Sequence, residues 1–256
     1  MNTKSSKNPL VSIIINCYNG ESYLKECIES VLSQTYENWE VIFWDNKSED
    51  KSAEIFKSFN DKRFKYFISD KYTSLYRARN LAIEKSTGEL LAFIDVDDLW
   101  EKNKLKLQVL LFDDPQIALV YSNLWIMKQS IENKKIFIKK NSPSGFIHEK
   151  LLDEYNVGII TVIFRKKIIS NNIKVFDERF SIIGDFDFFL KLSKSYYFHY
   201  IDKPLAYYRI HSRNFSSIYK EKEMEEFDIW AQDNKNNIDN KKIEKIKKKI
   251  SVRKLL

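Results

Sequence analysis

At 256 residues, 43% of them hydrophobic, the chain can bury a full core as one large domain or two small ones. Its net charge of +7 is concentrated in the tail, where residues 241–254 hold eight Lys or Arg against one Glu. The remainder is near neutral, which argues against nucleic acid as the main partner.

No apolar run reaches the ~18 residues that a bilayer span needs. Met1–Asn8 lacks the apolar centre of a signal peptide. Cys17 and Cys27 stand in no ligand pattern, so a disulfide scaffold is disfavoured and a cytoplasmic protein is expected.

Leu10 to Ile15 is a charge-free run rich in β-branched residues and predicts a central strand. Asn16–Gly20 follows as a loop with turn formers at both ends. Glu21 to Gln34 places Tyr23, Leu24, Cys27, Ile28, Val31 and Leu32 on one helical face. Trp39 to Trp44 is a second apolar strand, and Ser48 is a candidate N-cap for a helix to Phe59. Arg63 to Ile68 makes a third strand and Ser74 to Ser86 a third helix, with Gly88 as its stop. Glu89 to Ile94 is the fourth strand. This alternation predicts a parallel sheet with right-handed crossovers.

The fourth strand ends in Asp95-Val96-Asp97-Asp98, three carboxylates within four positions. At about 4 Å such charges repel by roughly 1 kcal/mol per pair even in water. A divalent cation or basic neighbours can offset that, and an all-oxygen set suits Mg²⁺ or Mn²⁺. The alternative is a solvated turn in which Asp98 caps a helix starting near Trp100. Position favours a ligand site, because open α/β sheets bind ligands beyond the carboxyl ends of their strands.

The sequence has neither G-x-G-x-x-G after the first strand nor G-x-x-x-x-G-K-[ST]. Five glycines in all exclude a glycine-lined phosphate cradle of either type. A diphosphate would instead need a metal at the acids and an arginine, Arg79 being a better candidate than Arg77. Tyr18 and Asp45 open on the same sheet edge, where a ring can stack on a base and a carboxylate can accept an imide N–H. Packing for Tyr18 and turn formation for Asp45 are the plain alternatives.

In the second half, Ile117–Met127 and Ile131–Ile138 alternate as a hairpin around Lys128-Gln129-Ser130. Asn141–Gly145 is a turn-rich connector, Phe146–Tyr155 a short helix and Gly158–Phe164 a strand. Asp185 opens a helical stripe of Phe186, Phe189, Leu190 and Ser193, and read alone it is an N-cap. Tyr197–Ile201 is strand-like. His211 follows Tyr207-Tyr208-Arg209-Ile210, either as a structural histidine or as a ligand. From Tyr219 the chain is helical and lysine-rich, with a sparse stripe of Ile238, Ile243, Ile246, Ile250 and Leu255. That stripe either packs on the domain or rests on anionic lipid, giving peripheral contact with the inner face of the cell membrane.

Taken together, Val11–Gly20, Leu24 through Ser30–Tyr36, Trp44–Ser48, Ala78-Arg79-Asn80 and Gly88–Asp98 resemble, in this order, the family 2 glycosyltransferases of the GT-A fold. The family's Pro-Thr-Tyr-Asn reads Asn16-Cys17-Tyr18-Asn19 here, which keeps the tyrosine. The resemblance implies an α/β fold with a Rossmann-like, mostly parallel sheet flanked by helices. It divides the chain into a GT-A domain (1–215; nucleotide-sugar half 1–115, acceptor half 116–215) and a basic helical region (216–256).

It further implies an inverting hexosyl transfer, dependent on Mn²⁺ or Mg²⁺, in bacterial surface polysaccharide biosynthesis. The donor would be a nucleotide diphosphate sugar, a UDP-sugar, and the acceptor a saccharide or lipid-linked saccharide. Tyr18 and Asp45 would hold the base, Arg79 another part of the donor, Asp95 the ribose and Asp97 the metal, with His211 reaching back to that metal. Asp185 aligns with the family's catalytic base, although Gly184 stands where a Glu is usual; Asp187 is the weaker candidate. A sugar-phosphate nucleotidyltransferase would need a glycine-rich activating loop, which is missing. An inactive binding module is a poorer match to Asp95, Asp97, Asp185 and His211 occurring together.

Overall fold

The computed structural model describes residues 8–128, 130–138, 142–169, 175–214 and 219–252. Gln129, Asn141, Leu255 and the side chain of Ile250, which entered the expectations above, lie outside the described set. Four strands, Val11–Cys17 (β1), Trp39–Asp45 (β2), Phe64–Ile68 (β3) and Leu90–Phe93 (β4), pair in parallel in the order β3-β2-β1-β4. β1, β2 and β4 are buried along their whole lengths, as strands covered on both faces should be. β3 is the edge and is only half-buried. The crossovers carry the helices Leu24–Leu32 (α1), Ser52–Ser58 (α2) and Leu75–Glu84 (α3).

Several boundaries differ from expectation for identifiable reasons. Ser48 is not the cap of α2, which begins four residues later. Its hydroxyl accepts the Asn19 N–H at 3.0 Å, tying the loop after β1 to the loop after β2. Gly88 is not the stop of α3 either. A Cβ there would lie 2.6 Å from the Leu10 carbonyl oxygen and 2.7 Å from Ser12 N, so glycine is required where the chain passes against β1. Beyond the acids, Leu99–Trp100 forms a two-residue strand (β5), and helix Lys104–Val109 (α4) starts later. Asp98 is therefore not a helix cap.

The second half adds Ile117–Met127 (β6), Lys134–Ile136 (β7), His148–Asp153 (α5), Ile163–Arg165 (β8), Gly184–Ser193 (α6) and Tyr197–Arg209 (β9). The expected strand at Gly158–Phe164 is split, because Ile159–Thr161 turns as 3-10 helix before β8. β9 is a single strand running through Pro204, which pairs with Asn123 at a register shift where a ladder donor is dispensable. The sheet continues past β4 as β8-β6-β9-β5, with β7 on the far part of β6.

β8 is antiparallel to both β4 and β6, and β5 to β9. The parallel character thus belongs to the first half, and the second is mixed. Because β8 reverses direction twice over, β6 and β9 point the same way as β1–β4. The carboxyl ends of all six open on one edge.

Helices Lys220–Asn234 (α7) and Asn240–Val252 (α8) close the chain. Phe227, Trp230, Ile238, Ile243 and Ile246 join the same buried cluster as the sheet. The described part of the tail's apolar stripe is packed on the domain. Lys242 pairs with Glu149, and Lys245 with Asp153 at 3.0 Å, on and beside α5.

Candidate active site

The carboxyl edge gathers most of the residues singled out by sequence. After β1, Tyr18 is half-exposed, and its ring lies 4.6 Å from that of Tyr72 in the loop after β3. Since β2 runs between those strands, the two rings meet across its end. There Asp45 is fully buried: Oδ1 accepts the Ser48 N–H and Oδ2 the Tyr66 hydroxyl, both at 2.7 Å. Asp45 holds its own turn, and Tyr18 is the accessible group of the pair.

The three acids after β4 have three different environments. Asp95, a third exposed, accepts a 2.5 Å ion pair from the buried Arg79. Burial alone would lower the arginine's proton affinity, but Asp95, Tyr76 and Asp185 outweigh it and hold the guanidinium firmly charged. Asp97 keeps 23% of its side chain exposed and meets the His211 Nε2 at 2.9 Å. Burial, then the charge of Asp95, pushes its carboxyl up, while His211 opposes the shift. Asp98 is enclosed. Its Oδ1 accepts the Arg209 N–H at 2.8 Å, its Oδ2 has no partner, and burial followed by the charges of Asp97 and Asp95 pushes it well up.

Arg209, at the end of β9, braces this cluster. Its Nε donates to the Asp97 carbonyl at 2.8 Å, its Nη2 pairs with Glu26 at 2.5 Å, and it lies over the Tyr23 ring. His211 packs 4.8 Å from the same tyrosine. Its Nδ1 accepts the Arg213 N–H at 3.1 Å, so in the neutral ring the hydrogen sits on Nε2, facing Asp97. Among the described residues no three His, Cys, Asp or Glu are set to enclose a metal. A cation at this pair would have to bring ligands of its own, such as diphosphate oxygens, and His211 would join Asp97 in holding it only once Nε2 gave up the hydrogen that faces Asp97.

Asp185 is not the N-cap of α6 but its second residue. Its Oδ1 accepts the Tyr76 hydroxyl and the Phe186 N–H, at 3.0 and 2.9 Å. Burial pushes its carboxyl up, against the opposing pull of Arg79 and then Tyr76. The residue as a whole is half-buried. Gly184 is sterically required, since a Cβ there would sit 2.5 Å from the Tyr76 ring. Asp187 is buried against Lys191 at 2.6 Å, away from this group. Arg77 pairs with Glu178 on the surface.

The structure thus gathers Arg79, Asp95, Asp97, Asp185 and His211 around the end of β4, with Tyr18 over the end of β2 and Asp45 enclosed beneath. Tyr72, Tyr76 and Arg209 went unread in the sequence. Tyr76 shares a helical face with Arg79 and Asn80, a spacing that was available as a signal. Nothing local marks Tyr72, whereas Arg209 stands in the Tyr208-Arg209-Ile210-His211 run that was read for its histidine alone.

The sequence pattern of glycosyl transferase family 2 matches residues 12–172. A curated relative, the UDP-Glc:alpha-D-GlcNAc-diphosphoundecaprenol beta-1,3-glucosyltransferase WfgD of Escherichia coli, is 34% identical over 161 residues, 63% of this chain and 62% of that protein. The putative teichuronic acid biosynthesis glycosyltransferase TuaG of Bacillus subtilis is 29% identical over 62% of this chain and 63% of its own length. The chain thus spans less than two thirds of these relatives.

Among solved structures, S. aureus TarS 1-349 in complex with UDP-GlcNAc superposes with a TM-score of 0.69 at 21% identity, over 92% of this chain and 69% of that one. The mannosyltransferase PcManGT of Pyrobaculum calidifontis, in complex with GDP-Man and Mn²⁺, gives 0.67 at 15% identity, over 95% and 69%. These likenesses establish the GT-A fold.

Proposed function

The chain belongs to glycosyl transferase family 2, and from that premise we propose that it moves a sugar from a UDP-sugar to a hydroxyl of a lipid-linked saccharide, inverting the anomeric carbon. One observation carries this reading. Helix α3 reaches both sides of the site: Arg79 holds Asp95 at 2.5 Å, and Tyr76, three residues earlier, holds at 3.0 Å the Asp185 that arrives from a segment more than a hundred residues away. A donor-side group and a carboxylate from a distant segment are therefore both set by one helix, each on its own partner. An inverting displacement needs that separation, because base and leaving group act on opposite faces of the sugar.

In this scheme the uracil stacks on Tyr18, with Tyr72 as a second ring beside it. Each Asp45 oxygen keeps a second lone pair for the base edge once the rings admit it. Asp95 takes the ribose. Arg79 contributes fixed positive charge near the donor, where the departing diphosphate gains negative charge. Asp97 and His211 would hold a Mn²⁺ or Mg²⁺, which supplies Lewis-acid stabilisation of that charge when bound.

Asp185 takes the proton of the attacking hydroxyl as the anomeric carbon passes through an oxocarbenium-like state. A carboxyl raised by burial is a stronger base than a solvated one, and the Tyr76 hydrogen bond keeps it aimed.

The names of the relatives support a donor of the UDP class, a diphosphoundecaprenol-linked saccharide as acceptor and a place in surface polysaccharide biosynthesis; we place the reaction at the cytoplasmic face of the membrane. No helix among the described residues is long and apolar enough to cross a membrane. With Ile243 and Ile246 packed inward, contact of α8 with anionic lipid would be electrostatic and reversed by salt.

The test is Asp185→Asn with UDP-glucose or UDP-GlcNAc, Mn²⁺ and a GlcNAc-diphosphopolyprenol. Transfer should be lost while UDP binding, followed by calorimetry, survives. Wild-type turnover in this variant would overturn the base assignment.

A further inference from the structure

The turn that presents Asp185 is held from outside its own segment. Helix α6 starts at Gly184, and the preceding Ile183 offers no side-chain cap. The turn just before the helix is held by an acceptor from α7. Glu226, only 3% exposed, takes the Ser181 N–H on Oε1 at 2.6 Å and the Ile182 and Ile183 N–H groups on Oε2 at 2.8 and 3.1 Å. A buried carboxylate that accepts three consecutive backbone donors just before a helix pins that turn through charge-assisted hydrogen bonds.

The same turn is gripped on its other side. The Tyr76 hydroxyl stands 3.0 Å from both the Ile182 carbonyl oxygen and Asp185 Oδ1. The peptide groups on either side of Ile182 therefore connect Glu226 to Tyr76, and Tyr76 to Asp185. One turn further along α7, Trp230 packs edge-on against Phe186 at 5.0 Å, beside Phe227.

We propose that Glu226 is a positioning residue for the base: through the 181–183 backbone and Tyr76 it fixes where the Asp185 carboxylate points. The proposal rests on the reading of Asp185 as the base. It makes the C-terminal helices part of the catalytic apparatus, although no atom of Glu226 is assigned a contact with substrate.

The geometry separates a positioning role from general support. Among the described residues the hydrogen bonds of Glu226 go to the 181–183 turn, so its loss should disturb residues 181–187 and leave the donor edge, built on β1–β4, intact. Displacement of a base by about 1 Å costs up to roughly 100-fold.

The experiment compares Glu226→Ala and Glu226→Gln in the full chain with UDP-glucose or UDP-GlcNAc, Mn²⁺ and a GlcNAc-diphosphopolyprenol, alongside amide exchange by mass spectrometry. In E226A kcat should fall about 10–100-fold with the donor KM within about twofold. Amides 181–187 should lose protection while those of β1 and β2 keep theirs. E226Q retains one acceptor oxygen and should fall between wild type and E226A. If E226A fails to fold, E226Q decides alone, with reduced kcat and local deprotection as its expected result.

Added to Asp185→Asn, E226A should remove nothing further from the residual rate. Wild-type kcat with wild-type exchange at 181–187 would overturn the proposal, as would a rise in donor KM matching the fall in kcat. Full turnover in Asp185→Asn alone would instead strike the base reading, and the exchange data would still report on whether Glu226 orders the turn.

Discussion

The two halves of the sheet place their chemistry by different means. In the first, the candidate group is the last residue of a parallel strand or stands in the loop just after it: Tyr18 after β1, Asp45 at the end of β2, Asp95 and Asp97 after β4. Strand direction alone puts them on one edge. In the second half the groups are assembled by contacts across the chain. Asp185 meets Tyr76 109 residues away, His211 meets Asp97 at 114, and the Arg209 N–H meets Asp98 at 111. The lesson is a division of labour: the first half should govern donor binding, and the second should govern turnover.

The largest expected effect lies on the turnover side. Asp185→Asn should cost about 10²–10⁴ in kcat, the usual contribution of a general base, with UDP affinity unchanged by calorimetry. A loss of UDP affinity in that variant would erase the division. Tyr18→Ala should do the reverse. Base stacking contributes about 1–3 kcal/mol, so UDP binding should weaken several-fold to about a hundredfold while kcat at saturating donor holds. Asp97→Ala should remove whatever increment Mn²⁺ adds to UDP affinity; an undiminished increment would take Asp97 out of the metal site.

Tyr76→Phe straddles the two halves and sharpens the boundary. It deletes a hydrogen bond that favours the charged form of Asp185, so the carboxyl should rise further. The acid limb of the kcat/KM profile should then move to higher pH, with a loss of about tenfold or less below it.

The smallest effect concerns stability. Burial raises the carboxyl of Asp185 in the folded chain, so the native state holds this proton more tightly than the unfolded one. The stability it contributes is present below the unfolded value and is lost as pH rises through the folded one. Near neutral pH the charged form is a net cost, and Asp185→Asn should melt about 2–4 °C higher than wild type for each kcal/mol relieved. The gap should close toward pH 4. Scanning calorimetry across pH checks both the sign and the window.

How much of this was legible in the sequence follows from the same contrast. The β1–β4 frame and its edge residues could be read because a largely apolar strand and the loop after it are adjacent in sequence. Boundaries failed where a long-range contact overrode a local signal. Ser48 looks like a cap but ties two loops together, Gly88 looks like a helix stop but makes room for β1, and Asp98 looks like a cap but is buried under Arg209. Tyr76, which holds Asp185, and Glu226, which holds the turn before it, were out of reach because they lie on either side at large separations. Gly184 did carry a readable hint: a glycine beside the candidate base marks a close approach, and the Tyr76 ring is what approaches.

The central claim is that the acids closing β4 and the ring of Tyr18 form one donor site. Diffraction from crystals soaked with UDP and Mn²⁺ tests it most directly. The account predicts the cation between Asp97 and the diphosphate, the uracil on Tyr18, and the ribose at Asp95. Nucleotide and cation bound together at some other place on the chain, with the β4 edge left empty, would contradict it.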